Sequence, residues 1–166
     1  MSTRGHPNSY IDFLHRKVHE GRFFSGGHYV ASLANGGTID ILFQNGEHAF
    51  HGVPEVITGG DATLQLYEGT TFSAPGTAVT MSNHNRNAAT QTLSGATHTP
   101  TVTAVGTQMN GTILIPGGKN NSSGASGEFS QEFVLKPNTT YMMRVTNISG
   151  VAQAVSAIAK GYVPTL

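Results

Sequence analysis

Histidine is the side chain most able to do chemistry in this sequence, which contains eight histidines and no cysteine. His15 and His19 lie four residues apart in a segment with helical spacing, so they share one face of the predicted helix. His48 and His51 lie close together in a predicted strand. A structural or catalytic metal site needs three or four converging ligands, usually with a carboxylate, and neither pair has a nameable third ligand. Packed or solvated histidines are the favoured interpretation, and the sequence predicts no metal and no cofactor.

The densest polar cluster is the segment Asn83-His-Asn-Arg-Asn87. Asparagine side chains favour turns in which they bond to nearby backbone, and a guanidinium offers a fork of donors to a carboxylate. Two interpretations are open: a sugar- or anion-binding loop, or a hydrogen-bonded hub that fixes a long connection. The hub is favoured, and Arg86 is expected to hold it through a carboxylate or several backbone carbonyls. Its predicted members are Asn83, Asn85, Arg86 and Asn87.

Motifs for catalysis are missing from the sequence. No serine lies in a Gly-x-Ser-x-Gly segment, and the sparse carboxylates form no evident pair. The segment Gly117-Gly-Lys119 follows a predicted strand but lacks the spaced glycines and the helix of a phosphate-binding loop. We therefore do not expect the protein to be an enzyme.

Charge and composition exclude further classes of function. Only 11% of the residues are charged, and nine basic residues balance nine acidic ones. Such a chain has no net charge that would attract it to nucleic acid or to an anionic membrane. No apolar run approaches the roughly 20 residues of a membrane helix, and the N-terminus lacks a signal peptide's apolar core. The sequence predicts one soluble domain, synthesised in a cytoplasm.

The elements that must position these residues are β-strands. In the segment 38–44, Ile39, Ile41 and Phe43 occupy every second position, so they share one buried face of a strand. Similar alternation recurs along the chain, and in the segment 139–147 it predicts that Met142 points outward. Eight to ten strands at hairpin spacing predict an all-β fold, a single β-sandwich or jelly roll over residues 26–166. The Gly- and Ser-rich segment 117–127 should be an exposed loop.

The first 25 residues form a separate N-terminal segment, predicted as a short helix or an extended arm. Helical spacing of apolar residues favours a helix over residues 9–21 that ends at Gly21, while an arm laid against a neighbour remains an equal alternative. The segment is net positive, which suits an acidic surface on a partner. Its two phenylalanines precede Ser-Gly-Gly, which resembles an anchor followed by a hinge. The predicted contact residues are Ile11, Leu14, Arg16, Lys17, Arg22, Phe23 and Phe24.

Several ordered motifs resemble a family of small tailed-phage proteins. The longest is Leu66-Tyr-Glu-Gly-Thr-Thr-Phe-Ser-Ala-Pro-Gly-Thr-Ala-Val-Thr80, followed by Asn85-Arg-Asn87 and His98-Thr-Pro-Thr-Val-Thr103. Similar segments are His19-Glu-Gly-Arg-Phe-Phe24, Glu132-Phe-Val-Leu-Lys-Pro-Asn-Thr-Thr-Tyr141 and Arg144-Val-Thr-Asn-Ile-Ser149. The resemblance covers about residues 15 to 149, and each motif alone is weak.

The resemblance implies a structural virion protein that decorates or cements a phage capsid. Proteins of this family are often trimeric, so the implied partners are further copies of the chain and a major capsid protein, on the outer surface of the virion. The family implies no catalytic residues. The competing hypothesis is a carbohydrate-binding jelly-roll module displayed on a particle, with a host glycan as ligand. The absence of tryptophan weighs against it, because lectin jelly rolls usually stack sugars on exposed aromatic rings.

Overall fold

The computed structural model describes residues 13–47, 49–90, 92–117, 125–128 and 132–164, with only the backbone described at 125–128. Residues 1–12, with the predicted contact residue Ile11, lie outside the described part, as do His48 and most of the predicted loop 117–127. Within the described part, one helix, α1 (Phe13–His19), precedes sixteen strands. They are β1 (Phe23–Leu33), β2 (Thr38–Gln44), β3 (Phe50–Thr58), β4 (Ala62–Glu68), β5 (Thr71–Ala74), β6 (Thr77–Ala78), β7 (Met81–Asn83), β8 (Thr92–Leu93), β9 (Ala96–His98), β10 (Thr101–Ala104), β11 (Thr107–Gln108), β12 (Ile113–Ile115), β13 (Ala125–Glu128), β14 (Phe133–Leu135), β15 (Thr140–Asn147) and β16 (Gln153–Tyr162).

The strands form two large antiparallel sheets and one small one. Sheet A has the order β13-β3-β16-β1-β7-β8, and β14 also pairs with β3. Sheet B has the order β11-β4-β15-β2-β9-β6, and β12 also pairs with β4. Strands β5 and β10 form sheet C. The predicted all-β sandwich is confirmed, whereas its jelly-roll connectivity stays a prediction.

The inner faces of sheets A and B bury one core. The largest cluster brings together Val56, Val155 and Ala157 of sheet A with Leu64 and Val145 of sheet B, and all five side chains are fully buried. A second cluster fills one end of the sandwich around Phe24, Phe50, Met81 and Tyr141. The predicted strand 38–44 is β2, and its Ile39 and Ile41 are buried as expected.

Sheet C covers part of the outer face of sheet B. Leu42, Met142 and Tyr67 are direct neighbours across β2, β15 and β4 and form a third buried cluster. Phe72 of sheet C and Val102 pack against it. Met142 does point away from the main core, but it is only 1% exposed because sheet C covers it. It therefore needs no partner surface outside its own chain.

The N-terminal segment forms the predicted helix but not the predicted anchor and hinge. Residues 13–19 form a helix, and Gly21 ends it with a φ of +68° and a hydrogen bond from its N–H to the Val18 carbonyl. Phe23 and Phe24 do not form an anchor before a hinge. They begin β1, both are buried, and Phe24 belongs to the core at one end of the sandwich. The boundary predicted between residues 25 and 26 falls inside this strand.

The glycines at positions 26 and 27 allow close packing where the sequence suggested a hinge. Gly26 and Gly27 pair in register with Ala159 and Ile158 of β16. A Cβ atom added at Gly26 would lie 2.5 Å from the Thr80 carbonyl oxygen, and one at Gly27 would lie 2.5 Å from the Ala157 carbonyl oxygen. The end of the predicted loop 117–127 is likewise corrected, since β13 pairs with β3 from residue 125 onward.

Phe24→Ala tests whether this residue belongs to the core or to a partner contact. Truncating a fully buried phenylalanine should lower the free energy of unfolding by about 3–5 kcal/mol, through lost burial and the cavity left behind. Leu114→Ala, at an exposed position of β12 in sheet B, should change it by no more than about 0.5 kcal/mol. Urea denaturation followed by circular dichroism measures both. If Phe24→Ala were as stable as the wild type, the residue would be a surface contact and not part of the core.

Candidate functional site

Among the described residues, several large side chains on the outer face of sheet A are exposed. Strand register places Tyr29, Ser156 and Ile57 in one row across β1, β16 and β3. Tyr29 is 61% exposed and Ile57 is 42% exposed. Another row brings His51 beside Val134, which is 60% exposed. This face therefore presents three large apolar side chains to solvent.

Charge on the outer face of sheet A is compensated within the chain. Lys160 Nζ lies 3.3 Å from Glu55 Oε2, and both residues are partly buried. The pair stands between the Tyr29 row and the His51 row, because Lys160 and Glu55 belong to the two intervening rows. This face therefore offers apolar contact area, and its paired charges produce no strong positive or negative electrostatic potential.

Helix α1 lies against one end of this face. The Phe13 ring meets the Tyr162 ring edge-on, with 5.4 Å between centroids and 72° between planes. Lys17 Nζ lies 5.4 Å from the Phe13 centroid and 5.6 Å from the Tyr162 centroid, within the range of cation–π attraction. Phe13 nevertheless remains 53% exposed, and Leu14 is exposed as well. The helix thus extends the apolar surface beyond the sheet.

A polar clasp fixes Tyr162 beneath the helix. Its hydroxyl donates to Glu132 Oε1 at 2.8 Å and lies 2.8 Å from His51 Nδ1, and the His51 ring also contacts the Glu132 carboxylate directly. Burial, followed by the hydrogen bond to Glu132, raises the pKa of Tyr162. The raised pKa keeps the phenol protonated at neutral pH, so it can act as the donor in this cluster. The three side chains join β16 and β3 to the segment before β14.

The predicted basic contact residues are largely paired within their own chain. Arg16 Nε lies 2.8 Å from Glu20 Oε1, and Lys17 Nζ lies 2.9 Å from Glu20 Oε2. These hydrogen bonds, from Lys17 first and then Arg16, lower the pKa of Glu20. The Arg22 guanidinium donates to the Pro164 carbonyl. The positive charge expected on this segment is therefore partly neutralised before any partner arrives.

The predicted hub exists, but its central residue is Asn83. The Asn83 side chain is 1% exposed and donates 2.7 Å hydrogen bonds to the carbonyls of Gly21 and Thr90. Its oxygen accepts the Asn85 N–H at 2.8 Å. Asn85 donates to the His19 carbonyl at 3.0 Å and accepts the N–H of Asn87. The hub thus attaches the end of helix α1 to sheet A.

Arg86 is a correction within the hub. It is exposed, and its hydrogen bond to the Asn83 carbonyl is 3.4 Å long. Within the described residues it forms no ion pair with a carboxylate. Its neighbour His84, which was not predicted as a site residue, stacks edge-on against Phe23 and lies 2.7 Å from Ser25 Oγ. A loop arginine offers no sequence signal that separates a buried clamp from an exposed one.

The outer face of sheet B is polar around Asp40 and Arg144, while Leu114 of β12 is exposed elsewhere on this sheet. Arg144 donates two 2.7 Å hydrogen bonds to the Asp40 carboxylate. This hydrogen bonding raises the pKa of Arg144. Gln65, the next residue in the same row, donates to Gln108 and Thr112. These side chains are held in fixed positions by one another.

A cavity of about 160 Å³ opens beside this polar row. Its wall includes Thr38, Asp40, Thr99 and His28. The His28 ring stacks on the His98 ring at 3.7 Å, and burial, followed by the charge of His98, lowers the pKa of His28. The cavity is therefore lined by an acceptor carboxylate, two hydroxyls and a ring whose neutral form is favoured.

The described residues were compared with the ligand sets that hold metal ions in proteins. Among them, no group of three or more histidine, aspartate or glutamate side chains is arranged to hold a metal ion. The helix in this part of the chain is too short to cross a membrane. Comparisons of the chain with protein-family models, curated proteins and solved structures found no match.

Replacing Asn83 and Arg86 separately should distinguish the two parts of the hub. Asn83→Ala leaves buried carbonyls without their donors and should lower the free energy of unfolding by about 2 kcal/mol. Arg86→Ala removes an exposed side chain and should change it by no more than about 0.5 kcal/mol. Chemical denaturation compares the variants directly. A larger loss in Arg86→Ala than in Asn83→Ala would restore the arginine as the central residue.

Proposed function

We propose that this protein is a structural component of a phage virion, which associates with itself and docks on a capsid through the outer face of sheet A and helix α1. The main support for this proposal is that the outer faces of sheets A and B differ in how far their apolar side chains are covered. Sheet C covers the apolar row of sheet B, whereas Tyr29, Ile57 and Val134 of sheet A have large exposed fractions.

Exposed apolar area concentrates on the proposed docking surface. Five of the eight large hydrophobic side chains that are exposed among the described residues lie on this sheet face or on helix α1: Phe13, Leu14, Tyr29, Ile57 and Val134. Exposed apolar side chains on one face of a protein commonly mark interaction sites, and here they form two groups on either side of the Lys160–Glu55 pair. The compensated Lys160–Glu55 pair suits a neutral partner surface, and association of this kind depends weakly on salt.

A role in a particle would let several copies of the protein attach through many individually weak contacts. A trimer that touches several capsid subunits combines its individual contacts into durable attachment. The motifs that resemble those of small tailed-phage proteins favour the same assembly, with the major capsid protein as the second partner and the outside of the virion as the location of the protein. Helix α1 adds Leu14 and Arg16 at the edge of the docking surface.

Two substitutions test the docking surface in the isolated protein. Wild-type protein should form a trimer in size-exclusion chromatography with light scattering, and Tyr29→Glu or Ile57→Glu should shift it toward monomer, because each places a charge in an apolar contact. Leu114→Glu is the matched control, since Leu114 is also 61% exposed but belongs to sheet B. A monomeric wild-type protein, or dissociation caused only by Leu114→Glu, would contradict the proposal.

A carbohydrate-binding role is the second candidate, and the cavity beside Asp40 favours it. Fixed donors and acceptors around a small polar cavity suit the hydroxyl groups of a sugar. On a glycan array, this role predicts binding that Asp40→Ala abolishes, because Asp40 lines the cavity, and that Tyr29→Glu preserves. Absence of binding to any glycan would remove this candidate and leave the docking role.

A further inference from the structure

Two histidines on helix α1 bring their ring nitrogens together. His15 Nε2 and His19 Nε2 are 2.9 Å apart, and both side chains are exposed. The rings meet edge-on at 68°, with 4.4 Å between centroids. Residues four apart lie one above the other on a helix, so the backbone holds these rings as neighbours. In contrast, His28 and His98 stack face to face at an interplanar angle of 11°.

The surroundings of the pair leave it accessible to a cation. The two basic side chains between the histidines, those of Arg16 and Lys17, are both held by the Glu20 carboxylate at 2.8 and 2.9 Å. Their charge is thereby partly compensated within one helical turn. A dissolved ion reaches the Nε2 atoms without any rearrangement of the sandwich.

We propose that His15 and His19 chelate a divalent transition-metal ion, with Cu²⁺ and Ni²⁺ favoured over Zn²⁺. Both nitrogens bind the ion as neutral imidazoles, and water completes its coordination. The two histidines would bind the ion whether or not the protein is part of a virion.

The two nitrogens lie at hydrogen-bond distance from each other, and this separation is also compatible with a shared metal ion. With metal–nitrogen bonds of about 2.05 Å, nitrogens 2.9 Å apart subtend about 90° at the ion. That is the angle between adjacent ligands in square-planar or octahedral coordination, which Cu²⁺ and Ni²⁺ adopt with nitrogen ligands. Tetrahedral Zn²⁺ would require nitrogens about 3.3 Å apart. Imidazole affinity also rises toward Cu²⁺ along the first-row divalent ions.

The sequence between the histidines argues for binding without hydrolysis. Zinc proteases place two helical histidines at the same spacing with a glutamate directly after the first, where it acts as the general base. Here Arg16 occupies that position. Bound metal would instead link successive turns of a helix of only seven residues, and such short helices are marginal on their own. Binding therefore stabilises helix α1.

Calorimetric titration of the full chain with NiCl₂ or CuCl₂ tests the site. We expect one ion per chain with micromolar affinity, weakened about 100-fold in His15→Gln or His19→Gln because a single ligand loses the gain of chelation. His98→Gln, from the stacked pair, is the matched control and should bind like wild type. Zn²⁺ should bind more weakly than Ni²⁺.

Hydrogen exchange provides a second readout that locates the ion. The N–H groups of Glu20, Gly21 and Arg22 donate to carbonyls of residues 16–18 near the end of α1. Ni²⁺ should slow their exchange in wild type and leave it unchanged in His15→Gln. Millimolar or weaker binding by wild type, undiminished binding in both α1 variants, or equal loss in His98→Gln would each overturn the proposal.

Discussion

Strand β16 lies at the centre of sheet A, and the rest of the structure depends on its pairing. It joins β1 through nine residue pairs and β3 through eight, although these strands are separated from it by more than 90 positions in the chain. Its inward side chains, including Val155 and Ala157, form the core with sheet B. Its outward side chains end at Tyr162, on which helix α1 rests. Because the last strand completes the sheet, the sandwich requires nearly the whole chain.

The same pairing creates the surface on which the functional account rests. A sandwich buries two sheet faces against each other and leaves two outer faces that must be covered, made polar or used for binding. Sheet B is covered by sheet C over Leu42, Tyr67 and Met142 and is polar around Asp40 and Arg144. Sheet A retains exposed apolar side chains beside an internally compensated ion pair. That difference is why docking is proposed for sheet A.

Local patterns predicted the elements better than their partners. Alternation identified β2 because its buried residues obey the period of a strand. The sequence Phe23-Phe-Ser-Gly-Gly27 led to a wrong prediction of a hinge, because glycine pairs commonly mark flexible breaks. In the structure these glycines lie where neighbouring backbone is too close for a Cβ atom. The outer face of sheet A depends on the register between Tyr29 and Ile57 through Ser156, which no local pattern contains. The sequence located the polar cluster, but only the structure shows that its central hydrogen-bonding residue is the buried Asn83 and not the exposed Arg86.

Thiol labelling in the assembled state tests most directly whether the outer face of sheet A is a contact surface. The chain contains no cysteine, so Tyr29→Cys and Leu114→Cys each introduce a single reactive site on a different sheet. Labelling rates are compared between the oligomer, alone or on capsids, and protein dissociated by dilution. The account predicts that Tyr29→Cys is protected on assembly while Leu114→Cys keeps its rate. Equal reactivity of Tyr29→Cys in the assembled and dissociated protein would contradict it.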